Sequence, residues 1–353
     1  MLIGIYLNTQ FPSVPAWAFT LTGLVIVLCF NLLGITLVHR VNAVIITLSL
    51  ILVVVFVALA IKVAIGSPDT PGVFDPFLPG DTGIGPIFSG AAVLALSFLG
   101  FDAVSTLAEE AKNPRRDIPR AIILATLIGG AIFIAVSWAG ALAYPDWTLF
   151  TDLDSAGVTV MKHVGGEIIA AIFVAVFVAG SFGSGMASQV SVSRIIYSMG
   201  RDGTVPPIFA RLWAKRGTPV VATITVSLFS LLGLFITLDQ AAHMISFGAL
   251  AAFSMVNLGV IRVYLFPKGG RRSQPTAMEW VRYGVLPLIG FAMTVWLWTS
   301  LEGSTFIVGL IWIALGFGVI AYSTRGFRRA VPKMDFTEQI DVIPTIDLPS
   351  DAR

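Results

Sequence analysis

Nine apolar segments recur along the chain, and each is long enough to cross a lipid bilayer as a helix. A spanning helix needs about 20 mostly apolar residues, because the hydrocarbon core of a bilayer is roughly 30 Å thick. The segments occupy residues 16–34, 42–64, 87–107, 120–143, 167–188, 219–237, 242–265, 283–300 and 304–323. We therefore predict an all-α polytopic membrane protein, with a transmembrane domain over 1–325 and a disordered tail over 326–353.

The composition excludes most other classes of protein. Hydrophobic residues make up 56% of the chain and charged residues 12%, whereas soluble domains carry about 25% charged residues. The single cysteine, Cys29, excludes an internal disulfide and is expected to be a small buried side chain. The sequence contains no Cys/His cluster, nucleotide-binding loop or nucleophile elbow, so we predict no metal, no cofactor, no nucleic-acid partner and no enzymatic activity.

The positions of the basic residues predict the orientation of the chain. Of the 22 Lys and Arg residues, 20 lie in four loops and the carboxy-terminal tail. These basic regions are 35–41, 108–120, 189–218, 262–282 and the residues after 323. The alternate loops hold Lys62 and Lys162 together with the acidic residues Asp69, Asp75, Asp81, Asp146, Asp152, Asp154, Asp239 and Glu302. Because basic loops stay in the cytoplasm, we predict a multi-pass inner (plasma) membrane protein with a cytoplasmic carboxy terminus.

The odd number of predicted spans has a consequence for the amino terminus. Nine spans and a cytoplasmic carboxy terminus place the amino terminus outside the cell. Residues 1–9 read as the end of a helix, and nothing before Pro12 has the features of an exported leader. We therefore expect an odd number of spans to be missing before residue 1.

The stretch from Phe88 to Pro119 carries the most informative polar residues. Gly100 interrupts an apolar helix, and Asp102 follows well before the basic end of the segment. A buried carboxylate is costly unless it is paired, hydrated or protonated. One interpretation is a helix break that exposes backbone groups to a substrate, with Asp102 as cation partner or proton carrier. The other is an interfacial aspartate that pairs with a neighbouring Arg or Ser.

Other polar groups in the spans also have two interpretations. The acidic pair Glu109 and Glu110 fits a salt-bridge network that anchors a loop, or a gate. Ser184 and Ser188 lie four residues apart and share a helix face, which indicates either close packing of small residues or a polar path. Asn257 fits a hydrogen bond between helices, or a ligand contact. Tryptophans near span ends are expected to anchor in the membrane interface: Trp147, Trp280 and Trp298.

These residues bear a resemblance to a known family, which extends over the chain up to residue 325. The sixth-span signature of the amino acid–polyamine–organocation (APC) permeases is similar to Ser97-Phe98-Leu99-Gly100-Phe101-Asp102, followed by Glu109-Glu110-Ala111-Lys112-Asn113-Pro114-Arg115-Arg116-Asp117-Ile118-Pro119. Within that superfamily the chain most resembles the bacterial putrescine importers. The matching pieces are Ile5-Tyr6-Leu7, Phe11-Pro12, Ala187-Ser188, Ser191-Val192-Ser193-Arg194, Met199-Gly200-Arg201-Asp202 and Phe247-Gly248-Ala249-Leu250.

The resemblance implies a twelve-span transporter with a five-plus-five inverted repeat, of which the nine spans of this chain are the fourth to twelfth. The second repeat would be complete over 87–265, while the first keeps its last two helices and lacks the family's substrate-binding first span. The pocket residues that remain would be Ser97, Phe98, Leu99 and Gly100 at an unwound segment. Phe98 or Phe101 would close over the substrate, and Asp102 would meet an amine or carry a proton. Weaker candidates for the far wall of the pocket are Ser184, Ser188 and Asn257.

We expect the chain to be a secondary active transporter that imports putrescine by proton symport. Asp102 motivates this expectation, because a diamine has no carboxylate and needs an anionic partner. A permease for α-amino acids on the same fold is the first alternative. A truncated remnant or a sensor that transports nothing is the second, and the missing first spans favour it.

Overall fold

The fold is known from a computed structural model, which describes most of the chain. The described residues are 1–34, 39–68, 70–78, 83–101, 104, 111, 113–213, 217–266, 275–299, 301, 303–324 and 326. Within these residues the secondary structure is helical, and no strand occurs. The predicted all-α class is therefore confirmed.

Eleven α-helices make up the described part of the chain. In chain order they are α1 Leu2–Gln10, α2 Ala16–Leu32, α3 His39–Gly66, α4 Gly85–Leu94, α5 Pro114–Ala143, α6 Ala156–Arg201, α7 Val220–Ser230, α8 Leu238–Leu265, α9 Ala277–Trp280, α10 Leu286–Thr299 and α11 Gly303–Ser323. Short 3-10 turns extend α4 and α7, and a π-helical turn over Val281–Val285 joins α9 to α10. Each of the nine predicted segments overlaps one of these helices, and residues 2–9 lie in α1.

Among the residues that the structure describes, six helices are long and apolar enough to cross a membrane. They are Val41–Gly66, Pro114–Ala143, Ala156–Arg201, Leu238–Leu265, Ala277–Thr299 and Gly303–Ala321. Shorter apolar helices cover Ala16–Leu32 and Val220–Leu234. The most apolar stretch of α5 has a mean hydropathy of 2.3, and none of its residues (0%) is buried inside the protein. Because these apolar side chains face outward, only lipid can solvate them favourably.

Local sequence explains where several helices begin or bend. Thr237 caps α8: its hydroxyl accepts a hydrogen bond from the Gln240 amide at 3.1 Å, and the Gln240 side chain accepts one from the Thr237 amide. This reciprocal capping box satisfies two amides that would otherwise lack partners. Helix α6 is not straight, because Gly166 has φ 72° and ψ −176° and interrupts the helical geometry.

The chain forms two compact units. The first contains Met1–Ser49, Val174–Phe235 and the described part of Ile313–Arg353; the second contains Leu50–Phe173 and Ile236–Trp312. In the first unit α1 and α2 pack so closely that a Cβ on Gly4 would collide with the Ala16 carbonyl oxygen. The ring of Tyr6 stacks on Phe177 of α6 at 4.1 Å between centroids. These contacts attach α1 to both α2 and α6.

The core of the second unit is an aromatic cluster between α8, α10 and α11. The Phe247 ring is 5% exposed, stacks on Trp298 at 4.8 Å and meets Phe306 edge-on at 5.9 Å. Aromatic pairs of this kind contribute about 0.5–1.5 kcal/mol each beyond their buried area. Gly309 of α11 lies directly against Phe247, where a side chain would collide with the ring. The absence of a side chain at Gly309 therefore lets α11 approach α8.

Two expectations for individual side chains were wrong. Cys29 is exposed and not buried, because on an apolar spanning helix a small apolar side chain can face lipid as easily as protein. Trp298, expected as an interfacial anchor, is half-buried in the aromatic cluster, whereas Trp147 and Trp280 are 70% and 48% exposed.

The contact between Gly309 and Phe247 leads to a stability prediction. A Cβ at Gly309 would collide with Phe247 Cε1, and the stacked, buried ring cannot move away cheaply. We expect Gly309→Ala to destabilise the protein by about 1–3 kcal/mol, measured as a lower thermal unfolding midpoint in detergent. Gly316→Ala on the same helix is the control, since a Cβ there meets nothing within 4 Å. Equal midpoints for the two variants would contradict the proposed contact.

Candidate functional site

The candidate site is built around an interruption of the helix that begins with α4. The α-helix ends at Leu94, and Ala95–Phe98 form a tighter 3-10 turn. Leu99 then adopts an extended conformation with φ −61° and ψ 136°, and Gly100 has φ +111°. A positive φ of this size is disfavoured for residues with a Cβ, which explains why glycine occupies the position. The structure therefore has the helix break that the sequence predicted.

Two phenylalanines hold the break against two different helices. Phe98 packs edge-on against Phe133 of α5 at 5.3 Å between centroids, and a Cβ on Gly130, one turn earlier, would lie 3.5 Å from its ring. Phe101 packs against Phe253 of α8 at 5.4 Å, with the two rings inclined by 33°. Rings packed in this way stabilise the backbone of the break, since the turn itself forms few helical hydrogen bonds.

The remaining residues of the break differ in their exposure. Ser97 is exposed, and Leu99 is half-buried. The Leu99 amide donates a hydrogen bond to the Leu96 carbonyl oxygen at 3.0 Å, which closes the 3-10 turn. The hydroxyl of Ser97 is thus accessible beside a segment whose backbone no longer follows an α-helix. Asp102, Glu109 and Glu110 lie outside the described residues, and their predicted roles remain predictions.

Asn257 lies on α8 one turn after Phe253 and faces α10. Its amide nitrogen donates to the Phe253 carbonyl oxygen at 3.0 Å, and a Cβ on Gly290 would lie 2.8 Å from its amide oxygen. One turn earlier, the hydroxyls of Ser254 and Thr294 are 2.9 Å apart. These contacts support the interpretation of Asn257 as a packing residue between helices, and a role in substrate binding stays a prediction.

Ser184 and Ser188 lie on α6, in the first unit, and both are exposed. The break is in the second unit together with Phe253 and Asn257. The structure thus brings the residues of the break together with α5 and α8. The polar path predicted for the two serines is not tested by these positions.

A buried polar network in the first unit was not predicted. The Asn31 amide nitrogen donates to the Gln189 side-chain oxygen at 2.5 Å and lies 3.3 Å from the Met186 carbonyl oxygen. The Gln189 amide in turn donates to the Ser227 hydroxyl. All three side chains are buried, and they join α2, α6 and α7. The amide of Asn31 within an apolar segment, and that of Gln189 directly after one, were the available signal.

The described part of the chain contains no arrangement of side chains that supports a metal site. No group of three or more His, Cys, Asp or Glu residues there is arranged to hold a metal ion. The polar groups near the break are a serine hydroxyl and backbone amides and carbonyls. Such groups bind small polar molecules by hydrogen bonds.

Comparison with known proteins gives a consistent result over almost the whole chain. The family described as "Amino acid permease" matches residues 1–324. The low-affinity putrescine importer PlaP of Escherichia coli K12 is 35% identical over 350 residues, which cover 95% of this chain and 74% of the importer. The branched-chain amino acid permease BcaP of Bacillus subtilis 168 is 30% identical, covering 92% of this chain and 69% of the permease. The methylthioribose transporter of the same organism is 29% identical, covering 86% and 64%.

The backbone of Gly100 leads to a prediction with a matched control on α4. Gly100 has φ +111°, so a Cβ there strains the backbone although nothing lies within 4 Å of it. We expect Gly100→Ala to lower stability by about 1–3 kcal/mol. Gly90→Ala, inside α4 and equally free of neighbours, should be neutral or stabilising by up to about 1 kcal/mol. Thermal unfolding of the two variants checks this, and a stabilising Gly100→Ala would contradict the helix break.

Proposed function

The chain belongs to the amino acid permease family, and we propose that it imports a small cationic amine such as putrescine by proton symport. It is a polytopic membrane protein and a transporter, as its relatives are. The observation that carries the choice of substrate is the 35% identity to a putrescine importer over 95% of the chain. We also infer no enzymatic step and no cofactor, since a secondary transporter needs only a binding site and an ion gradient.

The helix break supports the proposed binding site. An interrupted helix presents backbone groups that a continuous helix would use internally, so a polar substrate can bind within the bilayer. We propose that Ser97, Leu99 and Gly100 contact the substrate at this break, and that Phe98 or Phe101 closes over it. Phe253 joins this proposal, because its ring packs against Phe101 at 5.4 Å. A change in the Phe101 rotamer on substrate binding would therefore require Phe253 to repack.

Asp102 supplies the charge that a diamine requires. Putrescine carries two ammonium groups and no carboxylate, so a protein that binds it needs an anionic partner. Asp102 follows the break by two residues in the sequence, and we propose that it pairs with the substrate amine or exchanges the coupled proton. For Glu109 and Glu110 we propose a gating role at the boundary of the membrane. Ser184, Ser188 and Asn257 are proposed as weaker candidates for contact with the substrate.

The acidic loops fit a cationic substrate. Asp146 is fully exposed and accepts hydrogen bonds from the hydroxyl and the amide of Thr148, which lower the pKa of its carboxyl group. Asp152 and Asp154 follow in the same loop. Carboxylates that remain ionised at this surface attract cations from solution. We propose that this surface is extracellular, with nine spans, a cytoplasmic carboxy terminus and a cytoplasmic tail over 326–353, as the positions of the basic residues indicate.

A permease for α-amino acids is the second candidate. The 30% identity to a branched-chain amino acid permease over 92% of the chain favours it. An amino acid brings its own carboxylate, which the backbone amides of an unwound helix can bind without an acidic side chain. The two candidates therefore differ in their need for Asp102.

Uptake measurements separate the two candidates. We expect cells that lack their own putrescine importers and express the chain to accumulate labelled putrescine. A protonophore should abolish the accumulation, because proton symport draws on the proton gradient. Unlabelled diamines should compete, and unlabelled leucine or valine should not. Uptake of labelled branched-chain amino acids, without putrescine uptake, would establish the second candidate instead.

Substitution of Asp102 tests its proposed role. A charge-assisted hydrogen bond contributes about 1.5–3 kcal/mol, so we expect Asp102→Asn to reduce putrescine uptake at least roughly tenfold at subsaturating substrate. Asp117→Asn is the matched control, since Asp117 is exposed in the first turn of α5. Both variants should reach the membrane in equal amounts by immunoblot. Unchanged uptake in Asp102→Asn would exclude the role proposed for this carboxylate.

A further inference from the structure

The loop between α6 and α7 contains a cavity that the transport function does not use. The cavity has a volume of about 360 Å³ and is lined by Arg211, Leu212, Trp213 and Val220. Val220 is the first residue of α7, one of the shorter apolar helices. Residues 219–237 are one of the predicted spans, so the cavity lies at one end of that predicted span, where lipid headgroups are expected to meet water.

Tight contacts hold the loop in place on the end of α6. A Cβ on Gly200 would lie 2.9 Å from the Ala210 amide nitrogen, so the 3-10 helix Pro207–Ala210 packs directly against α6. Beyond it, the Trp213 amide donates to the Thr218 carbonyl oxygen at 2.8 Å. The Gly217 amide donates back to the Trp213 carbonyl oxygen at 2.8 Å. These contacts hold the backbone on either side of Arg211 and Leu212, at Ala210 and at Trp213.

The cavity is lined by the cationic Arg211 and by exposed apolar side chains. Leu212 is 38% exposed and Trp213 is 39% exposed. Arg211 is also exposed and forms no ion pair within the described residues. A leucine and a tryptophan exposed at a helix end suit the membrane interface, where an indole is solvated by both lipid and water. A guanidinium at the same depth faces lipid phosphates and can form two parallel hydrogen bonds with one of them.

The loop that contains the cavity is positively charged. Between α6 and α7 the sequence has the three basic residues Arg211, Lys215 and Arg216, and the one acidic residue there, Asp202, pairs with Arg201 of α6 at 3.1 Å. Basic residues next to a membrane attract anionic lipids more than zwitterionic ones, by about 1 kcal/mol per charge. The local field therefore favours an anionic phospholipid over a neutral one.

We propose that this cavity binds an anionic phospholipid, with the lipid phosphate on Arg211 and the first carbons of the lipid against Leu212 and Trp213. The lipid would bridge the loop and the start of α7, and so stabilise the loop at the membrane surface. This proposal goes beyond the transport function and rests only on the membrane location of the chain. If the lipid site proved wrong, the proposed substrate and the proposed proton symport would be unaffected.

Native mass spectrometry of the full chain tests the site. The protein is reconstituted in phosphatidylcholine bilayers that contain increasing fractions of phosphatidylglycerol, then released into detergent, and the bound lipids are counted. We expect Arg211→Gln to bind phosphatidylglycerol about fivefold more weakly than the parent chain, the effect of one charge at the membrane surface. Arg211→Lys should retain most of the affinity, and Leu212→Ser should lose part of it.

The control is Arg262→Gln, since Arg262 is exposed in the last turn of α8 and does not line the cavity. This variant should bind phosphatidylglycerol as the parent does. Equal losses in the Arg211 and Arg262 variants would overturn the proposal in favour of general charge attraction. Displacement of the lipid by millimolar inorganic phosphate would also overturn it, because the ligand would then be a phosphate ion. Thermal unfolding without phosphatidylglycerol verifies that each variant is folded.

Discussion

Lipid hydrocarbon offers no hydrogen-bond partner to a backbone amide, and the architecture of this protein follows from that constraint. It requires continuous helices, so a helix can be interrupted only where protein or a polar cavity encloses the exposed backbone. The interruption from Ala95 to Gly100 is packed through its phenylalanines, while Ser97 and Gly100 are exposed. Phe98 on α5 and Phe101 on α8 hold it from two sides. The segment proposed to bind the substrate is therefore also one that depends on packing against its neighbours.

Polar side chains within the helices differ in their contacts. Some have hydrogen-bond partners within the protein, and others are exposed. The side chains of Asn31, Gln189 and Ser227 form hydrogen bonds with one another, are buried and join three helices. Asn257 lies against Gly290, one turn from a hydrogen bond between two hydroxyls. Groups whose partners are already supplied by the protein have little capacity left for a ligand. Ser97, by contrast, is exposed beside the interrupted helix.

Much of the fold could be predicted, because hydropathy and glycine act locally. All nine apolar segments overlap helices, and the helix that begins at Gly85 is interrupted before Gly100, since its α-helical part ends at Leu94. The partners of side chains could not be predicted in the same way. Phe98 and Phe101 are three residues apart, yet they pack on different helices. Hydropathy likewise did not predict that Cys29 is exposed or that Trp298 packs in the aromatic cluster.

The sequence by itself determined that this protein is helical, resides in a membrane and has an interrupted helix at Gly100, because these properties depend on apolar length and local backbone preference. The tertiary structure alone decided which faces of the helices meet. Lipid tails are as apolar as leucine, so hydropathy does not distinguish a side chain that faces lipid from one that faces protein. Close approach at glycines such as Gly309, and hydrogen bonds such as that from Asn31 to Gln189, select the interfaces instead. Gly200 likewise lets the 3-10 helix Pro207–Ala210, which precedes Arg211, pack against α6.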